Sequence, residues 1–399
     1  MEKIYKYSIL LPYIHLILSD VILFSYSGAF ALGYLFLFTL IVVGNFDMLL
    51  YSRGPLLKFT IAYVFIILIY EFLSPALSAN YNPYNKNAYY QFAITGLAFW
   101  IMGRKKINLY TDSNIRLIMF LTFIYVVYLG VQVWMFRGFY HLDLYGEEDA
   151  LAYLLSFPYN VMWLGLAAFL FPKYVRIGVL AVILFLIVLT TKRGPLVAIV
   201  LGLIVVLISN RKISLKDKLL LAIGGGIIYF VIDSYFWVYF DDAISRFTGR
   251  DTIEELSTGR ADIYSSVFNG WLEGGVAEKI FGFGFEQTHV RIMHSSYGRA
   301  VGSHNDYLEM LYNMGLLGFF VFIGFVISCL IYVWKAIRMK FKYKNLMVLG
   351  FMCFAVSCMF SSNINRWSTN IFCMLFFYSA GLLDNEMIYN KKLTNKIKL

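Results

Sequence analysis

The segment SHNDYLEMLYNMG, running from Ser303 to Gly315, carries residue types suited to moving a proton. Asp306 and Glu309 stand three apart directly before an apolar run. That is the spacing of a capping box with Asp306 as the cap, so a helix is expected to begin there. His304 then sits just ahead of a helix N-terminus, where the positive end of the dipole disfavours imidazolium and leaves a neutral ring able to accept a proton. Asn305, Asp306 and Glu309 read as caps and orienters, and a carboxylate beside His304 would fix its tautomer. A polar residue filling a helix entry is the plainer account of the same histidine.

Two arginines stand where helix electrostatics argue against a cation. In TTKRGPLV, Pro195 suits the first helical position, so Arg193 flanks a helix start; in STGRADIY, Arg260 follows the candidate caps Ser257, Thr258 and Gly259. A cation at a helix N-terminus costs about 0.3–1 kcal/mol. A bound anion reverses that, because helix end and guanidinium then attract the same phosphate. SRGPLL at Ser52–Leu57 repeats most of the first string, so RGP alone is also a generic helix-turn device.

These side chains need a scaffold, and composition names it. Of 399 residues, 60% are hydrophobic, 19% aromatic and only 15% charged, against about 45–50% apolar and about 25% charged in soluble domains. A soluble globule is excluded. At about 20 residues per crossing, the apolar runs are 7–27, 29–50, 56–73, 88–102, 115–136, 150–171, 174–191, 195–209, 218–237, 306–333, 345–362 and 367–383. The expected architecture is an all-α polytopic membrane protein of about 12 transmembrane helices, a single membrane domain over residues 1–399 with one large external loop at 238–303. The first run lacks a small-residue cleavage site and a second follows at once, so no cleavable leader is expected.

The net charge of +10 is a topology signal. With the N-terminus inside, the inner loops hold 23 of the 34 Lys and Arg, and both termini are expected in the cytoplasm. Seventeen of those 23 are lysine, whereas 8 of the 11 outer ones are arginine, Arg291, Arg299 and Arg366 among them. Lysine suits loops facing anionic headgroups, while the planar guanidinium fork grips phosphate with two hydrogen bonds. The outer face thus looks fitted to an anion. Four acids lie within apolar runs, Asp20, Asp47, Glu71 and Asp233; all but Asp47 fall toward the outer ends, where they would line a polar cavity or pair with arginines.

Within the external loop, Ile263, Tyr264, Val267, Phe268, Trp271 and Leu272 form the stripe of an amphipathic helix, expected on the bilayer surface or on helix ends. Gly282-Phe283-Gly284 reads as a turn. The four cysteines fall in apolar runs without metal-ligand spacing and read as packing residues. The chain shows no Walker motif, zinc spacing, nucleophile elbow or nucleic-acid module, so neither metal, cofactor nor nucleic-acid partner is expected. Whatever reaction occurs must bring its own driving force, as a sugar chain linked through pyrophosphate to a lipid does.

His304-Asn305, nine residues, then Gly315 and Gly318, preceded by a large loop with STGR and by TKRGPL, resembles the bacterial O-antigen polymerase and O-antigen ligase superfamily, the Wzy and WaaL type. The resemblance spans about residues 190–320. It implies a GT-C-like membrane fold and metal-independent, inverting glycosyl transfer from an undecaprenyl-pyrophosphate-linked glycan at the periplasmic face of the bacterial inner membrane. It implies His304 as general base on the acceptor hydroxyl, with Arg193 and Arg260 on the pyrophosphate. Asn305, Asp306, Glu309, Arg291, Arg299 and Asp233 are supporting candidates, and a chain-length regulator protein is an expected partner besides membrane lipid. Ligases carry an arginine-x-x-x-leucine form that Arg193 misses, since Leu196 falls one place early, so the polymerase reading is favoured over the ligase. A reading of another class is a lipid-linked sugar flippase or transporter with Asp20, Glu71 and Asp233 on its pathway.

Overall fold

The computed structural model describes residues 2–22, 27–52, 54–77, 86–136, 148–189, 193–209, 260–292, 302–362, 364 and 366–397. The architecture is all-α. The helices are α1 (Glu2–Tyr7), α2 (Leu11–Leu16), α3 (Ser27–Val43), α4 (Phe46–Leu50), α5 (Pro55–Leu77) and α6 (Lys86–Arg104). Next come α7 (Asp112–Phe136), α8 (Glu148–Ala167), α9 (Lys173–Leu189) and α10 (Arg193–Ser209). Beyond residue 259 follow α11 (Arg260–Glu273), α12 (Val276–Phe281), α13 (Thr288–Arg291), α14 (Asp306–Arg338), α15 (Lys344–Ser357) and α16 (Thr369–Ile397). Eleven of the twelve apolar runs coincide with helices, and the twelfth, 218–237 with Asp233, lies outside the described residues.

Four helices are long and apolar enough to cross a membrane, in α5, α7, α14 and α16, and shorter apolar helices accompany them. Side chains such as Phe72 (80% exposed) and Phe320 (63% exposed) point away from the core on helices whose other faces are equally apolar. Helices hydrophobic all round belong in lipid. The chain is an integral membrane protein.

Two runs depart from single straight helices. The first divides into α1, a 3-10 turn, α2 and a π-helical stretch at Ile17–Val21 that contains Asp20. The second stops at Val43, because the Asn45 side chain donates to the Ile41 carbonyl at 2.7 Å and competes with the helix ladder. Asp47 consequently lies exposed in the short α4 rather than inside a crossing.

Close backbone approach and polar clamps hold the bundle, as expected where lipid removes the hydrophobic drive between helices. α6 and α16 meet at Gly103 and Gly381, where a Cβ on either would strike backbone of the other helix. Beside that contact Trp100 donates to the Asp384 carboxylate at 2.9 Å and Arg104 to Asn385 at 2.8 Å.

α14 is broken at Gly315, with φ 61° and ψ −163°, a region open essentially to glycine alone. Breaking a helix frees carbonyls that must find other donors. The Phe283 and Gly284 N–H groups take those of Tyr312 (3.0 Å) and Asn313 (2.9 Å), and the Tyr70 hydroxyl takes that of Met314 (2.8 Å). The Gly282-Phe283-Gly284 turn is therefore spliced into the helix break. Gly282 and Gly315 abut so closely that a Cβ on either would hit the other's backbone.

Candidate functional site

Three helix N-termini converge on three consecutive residues. The Asp306 N–H, opening α14, donates to the Cys358 carbonyl at 2.8 Å. The Tyr264 hydroxyl, early in α11, donates to the Met359 carbonyl at 2.8 Å. At the start of α10, Gly194 packs within 3.1 Å of Phe360 Cβ for an ideal Cβ, and beside the Tyr159 hydroxyl, which itself donates to the Phe360 carbonyl at 3.3 Å. The beginnings of α10, α11 and α14 are thus held against one short stretch, residues 358–360.

His304 precedes α14, exposed and with φ 50°. Left-handed backbone is uncommon for a residue with a side chain and persists only where neighbours enforce it. They do so here. The Ser303 N–H donates to Glu309 Oε1 at 2.9 Å; the Ser303 hydroxyl donates to the Asn305 carbonyl at 2.8 Å and accepts from the Asn305 N–H at 3.1 Å. The helix cap is Asn305, one residue earlier than the capping-box reading: its side chain accepts from the Tyr307 and Leu308 N–H groups at 3.0 and 3.2 Å. Extended φ/ψ at Asn305 and the strong capping preference of asparagine decide the register.

Glu309 is buried and accepts from Ser303, from the Thr288 hydroxyl (2.7 Å) and from Asn313 Nδ2 (2.9 Å), tying the histidine loop to α13 and to the helix break. Asp306 is buried too, with its carboxylate toward the Ile364 N–H at 3.4 Å and in the field of Arg366. Glu309 thus holds the backbone just before His304, while the Asp306 carboxylate reaches the chain between α15 and α16.

Arg260 opens α11 as expected, half-buried, and interacts electrostatically with Tyr264, whose hydroxyl also bonds Asn305. Burial raises the Tyr264 pKa, while Arg260 and the Asn305 bond pull it down. Arg260 and the residue next to His304 are thereby brought to one tyrosine. Arg193 opens α10, two residues ahead of the position given by Pro195; its side chain lies outside the described residues. So do Arg299 and Asp233. Arg291, at the end of α13, is exposed, covers the Phe283 ring at 5.0 Å and donates to Gln287 at 3.1 Å.

Residues 178–323 match the family model described as O-antigen ligase (Wzy_C). This stretch is an O-antigen ligase family domain. No curated protein matches the chain. The family's chemistry is glycan transfer of the O-antigen ligase and polymerase type, acting on lipid-linked glycans, and the matched span includes α10, α11, the histidine loop and the helix break.

Arg366, outside the matched span, was counted in the sequence only as one of the outer arginines. It covers the Tyr159 ring at 4.6 Å and donates to the Ser361 hydroxyl at 3.2 Å. Desolvation lowers its pKa, against the upward pull of Tyr159, Asp306 and Asp20. A cation in the polar break SSNINRWSTN between two apolar runs was the available signal. Asp20 accepts from Tyr125 (2.5 Å), Asn160 (2.7 Å) and Ser19 (2.8 Å), and Glu71 accepts from Tyr90 at 3.2 Å.

Proposed function

We propose that the chain is a surface-polysaccharide polymerase of the O-antigen type. His304 takes the proton of a sugar hydroxyl on one lipid-linked repeat unit, and that oxygen displaces undecaprenyl pyrophosphate from the anomeric carbon of another, with inversion. The donor already carries a stabilised leaving group, so a base and phosphate-holding cations suffice, with no metal or cofactor. Arg193 and Arg260 hold the pyrophosphate. Asn305, Asp306 and Glu309 fix the histidine loop.

What supports this reading is that the exposed, left-handed His304 directly precedes α14, whose start shares residues 358–360 with the beginnings of α10 and α11, both opened by arginine. Twelve crossings in one membrane domain with both termini cytoplasmic would put this site on the periplasmic face of the bacterial inner membrane, in a GT-C-like fold with the large loop over it. A chain-length regulator protein is the expected partner. The ligase reading, transfer to the lipid A-core sugar, is favoured by the description of the matching family; the missing arginine-x-x-x-leucine form at Arg193 favours the polymerase. The flippase reading lacks the two similar halves common in transporters.

Gene deletion followed by a glycolipid gel separates the two enzymes. Core bearing a single repeat is the polymerase result; bare core with accumulated lipid-linked polymer would replace it by the ligase.

A further inference from the structure

A polar cavity lies at the opposite end of α14 from His304. From Leu316 to Arg338, α14 rises about 35 Å. Past its end is a cleft of about 320 Å³ lined by Tyr110, Asp112, Phe169, Arg176, Lys342 and Asn345, large enough for a small polar ligand.

Its walls leave polar groups unsatisfied. Arg176, in the first turn of α9, covers the Phe169 ring at 5.3 Å and donates one terminal nitrogen to the Phe171 carbonyl at 3.0 Å. Its Nε is buried and has no acceptor among the described residues. Asn345 Oδ1 is buried and without a donor in the same sense. Buried polar atoms are nearly always paired, and charged donors most of all, so two orphans lining one cleft mark a place that something else completes. The Lys342 ammonium stands 5.2 Å over the Tyr343 ring, which meets Tyr110 edge-on at 4.7 Å.

The cleft thus presents two cations to an anion, and a carboxylate with an amide oxygen to a donor. A phosphodiester bearing a hydroxyl or an amine satisfies both. Leu117 and Phe120 of α7, one to two turns on from Asp112, and Ile177 of α9, next to Arg176, are exposed apolar side chains, a surface for acyl chains rather than for water. Basic pockets between transmembrane helices hold lipid headgroups by this chemistry.

We propose that this cleft binds the phosphate-bearing headgroup of a membrane phospholipid, Arg176 and Lys342 on the phosphate and Asp112 and Asn345 on its hydroxyl or amine. The site stands independently of the transfer reaction at the other end.

Native mass spectrometry of the full chain in detergent tests it, with dihexanoyl phosphatidylglycerol, the phosphate-free dihexanoylglycerol and glycerol 3-phosphate as probes. The wild type is expected to hold one phosphatidylglycerol, and R176Q with K342Q together to weaken it about tenfold. Equal binding by wild type and variant overturns the proposal. Should the variant fail to fold, the wild type decides alone: binding dihexanoylglycerol as tightly as phosphatidylglycerol overturns it. Glycerol 3-phosphate binding as tightly as the lipid overturns the lipid assignment.

Discussion

The Asp306 N–H donates to the Cys358 carbonyl at 2.8 Å, so the helix entry that follows the catalytic candidate His304 is fastened to the chain between α15 and α16. The next two residues, Met359 and Phe360, take the starts of α11 and α10 in turn. A stretch outside the matched family domain therefore sets the spacing of the three helix ends.

Arg193→Lys and Arg260→Lys should each lower glycan transfer about tenfold or more, despite the retained charge, because the two-pronged guanidinium grip on phosphate is lost. Transfer rates of purified variants measure this. Wild-type rates for both would remove the pyrophosphate role.

Glu309→Ala should destabilise the protein by about 1–3 kcal/mol, since three buried donors lose their acceptor, and should depress transfer through the released histidine loop. Thermal unfolding and rate are read on the same sample. An unchanged melting point would show that Ser303, Thr288 and Asn313 do not depend on it.

Gly315→Ala should abolish folded yield, because its φ of 61° and the Ile280 carbonyl, 2.4 Å from where a Cβ would stand, leave no room for a methyl group. Gly130→Ala, with nothing within 4 Å, is the control and should be tolerated or stabilising by up to about 1 kcal/mol. Monodisperse yield in detergent distinguishes the two. A well-behaved Gly315→Ala protein would mean the break in α14 is not obligatory.

Much of this was legible in the chain itself. Apolar periodicity located the helices, and the start of α14 came within one residue of the expected cap. The amphipathic stripe also held in part, with Ile263 and Val267 buried against Tyr312 and Phe283, while Phe268 and Leu272 remain exposed. Local pattern failed where long-range contacts decide. Glu309 has the spacing of a capping box with Asp306, yet the cap is Asn305, and Glu309 instead bonds Thr288, brought in from α13, and Ser303. The meeting of residues 358–360 with three helices more than fifty positions away leaves no periodic trace in sequence.

The most direct measurement uses purified wild type and His304→Ala in detergent, with an undecaprenyl-pyrophosphate-linked repeat unit, EDTA present and no ion gradient. The wild type should lengthen the glycan on a gel. The variant, altered at an exposed side chain, should remain folded and fall by about 100- to 10,000-fold, the usual contribution of a general base. Near-normal lengthening by the variant, or none by the wild type until a divalent metal is restored, would contradict histidine-based, metal-independent transfer.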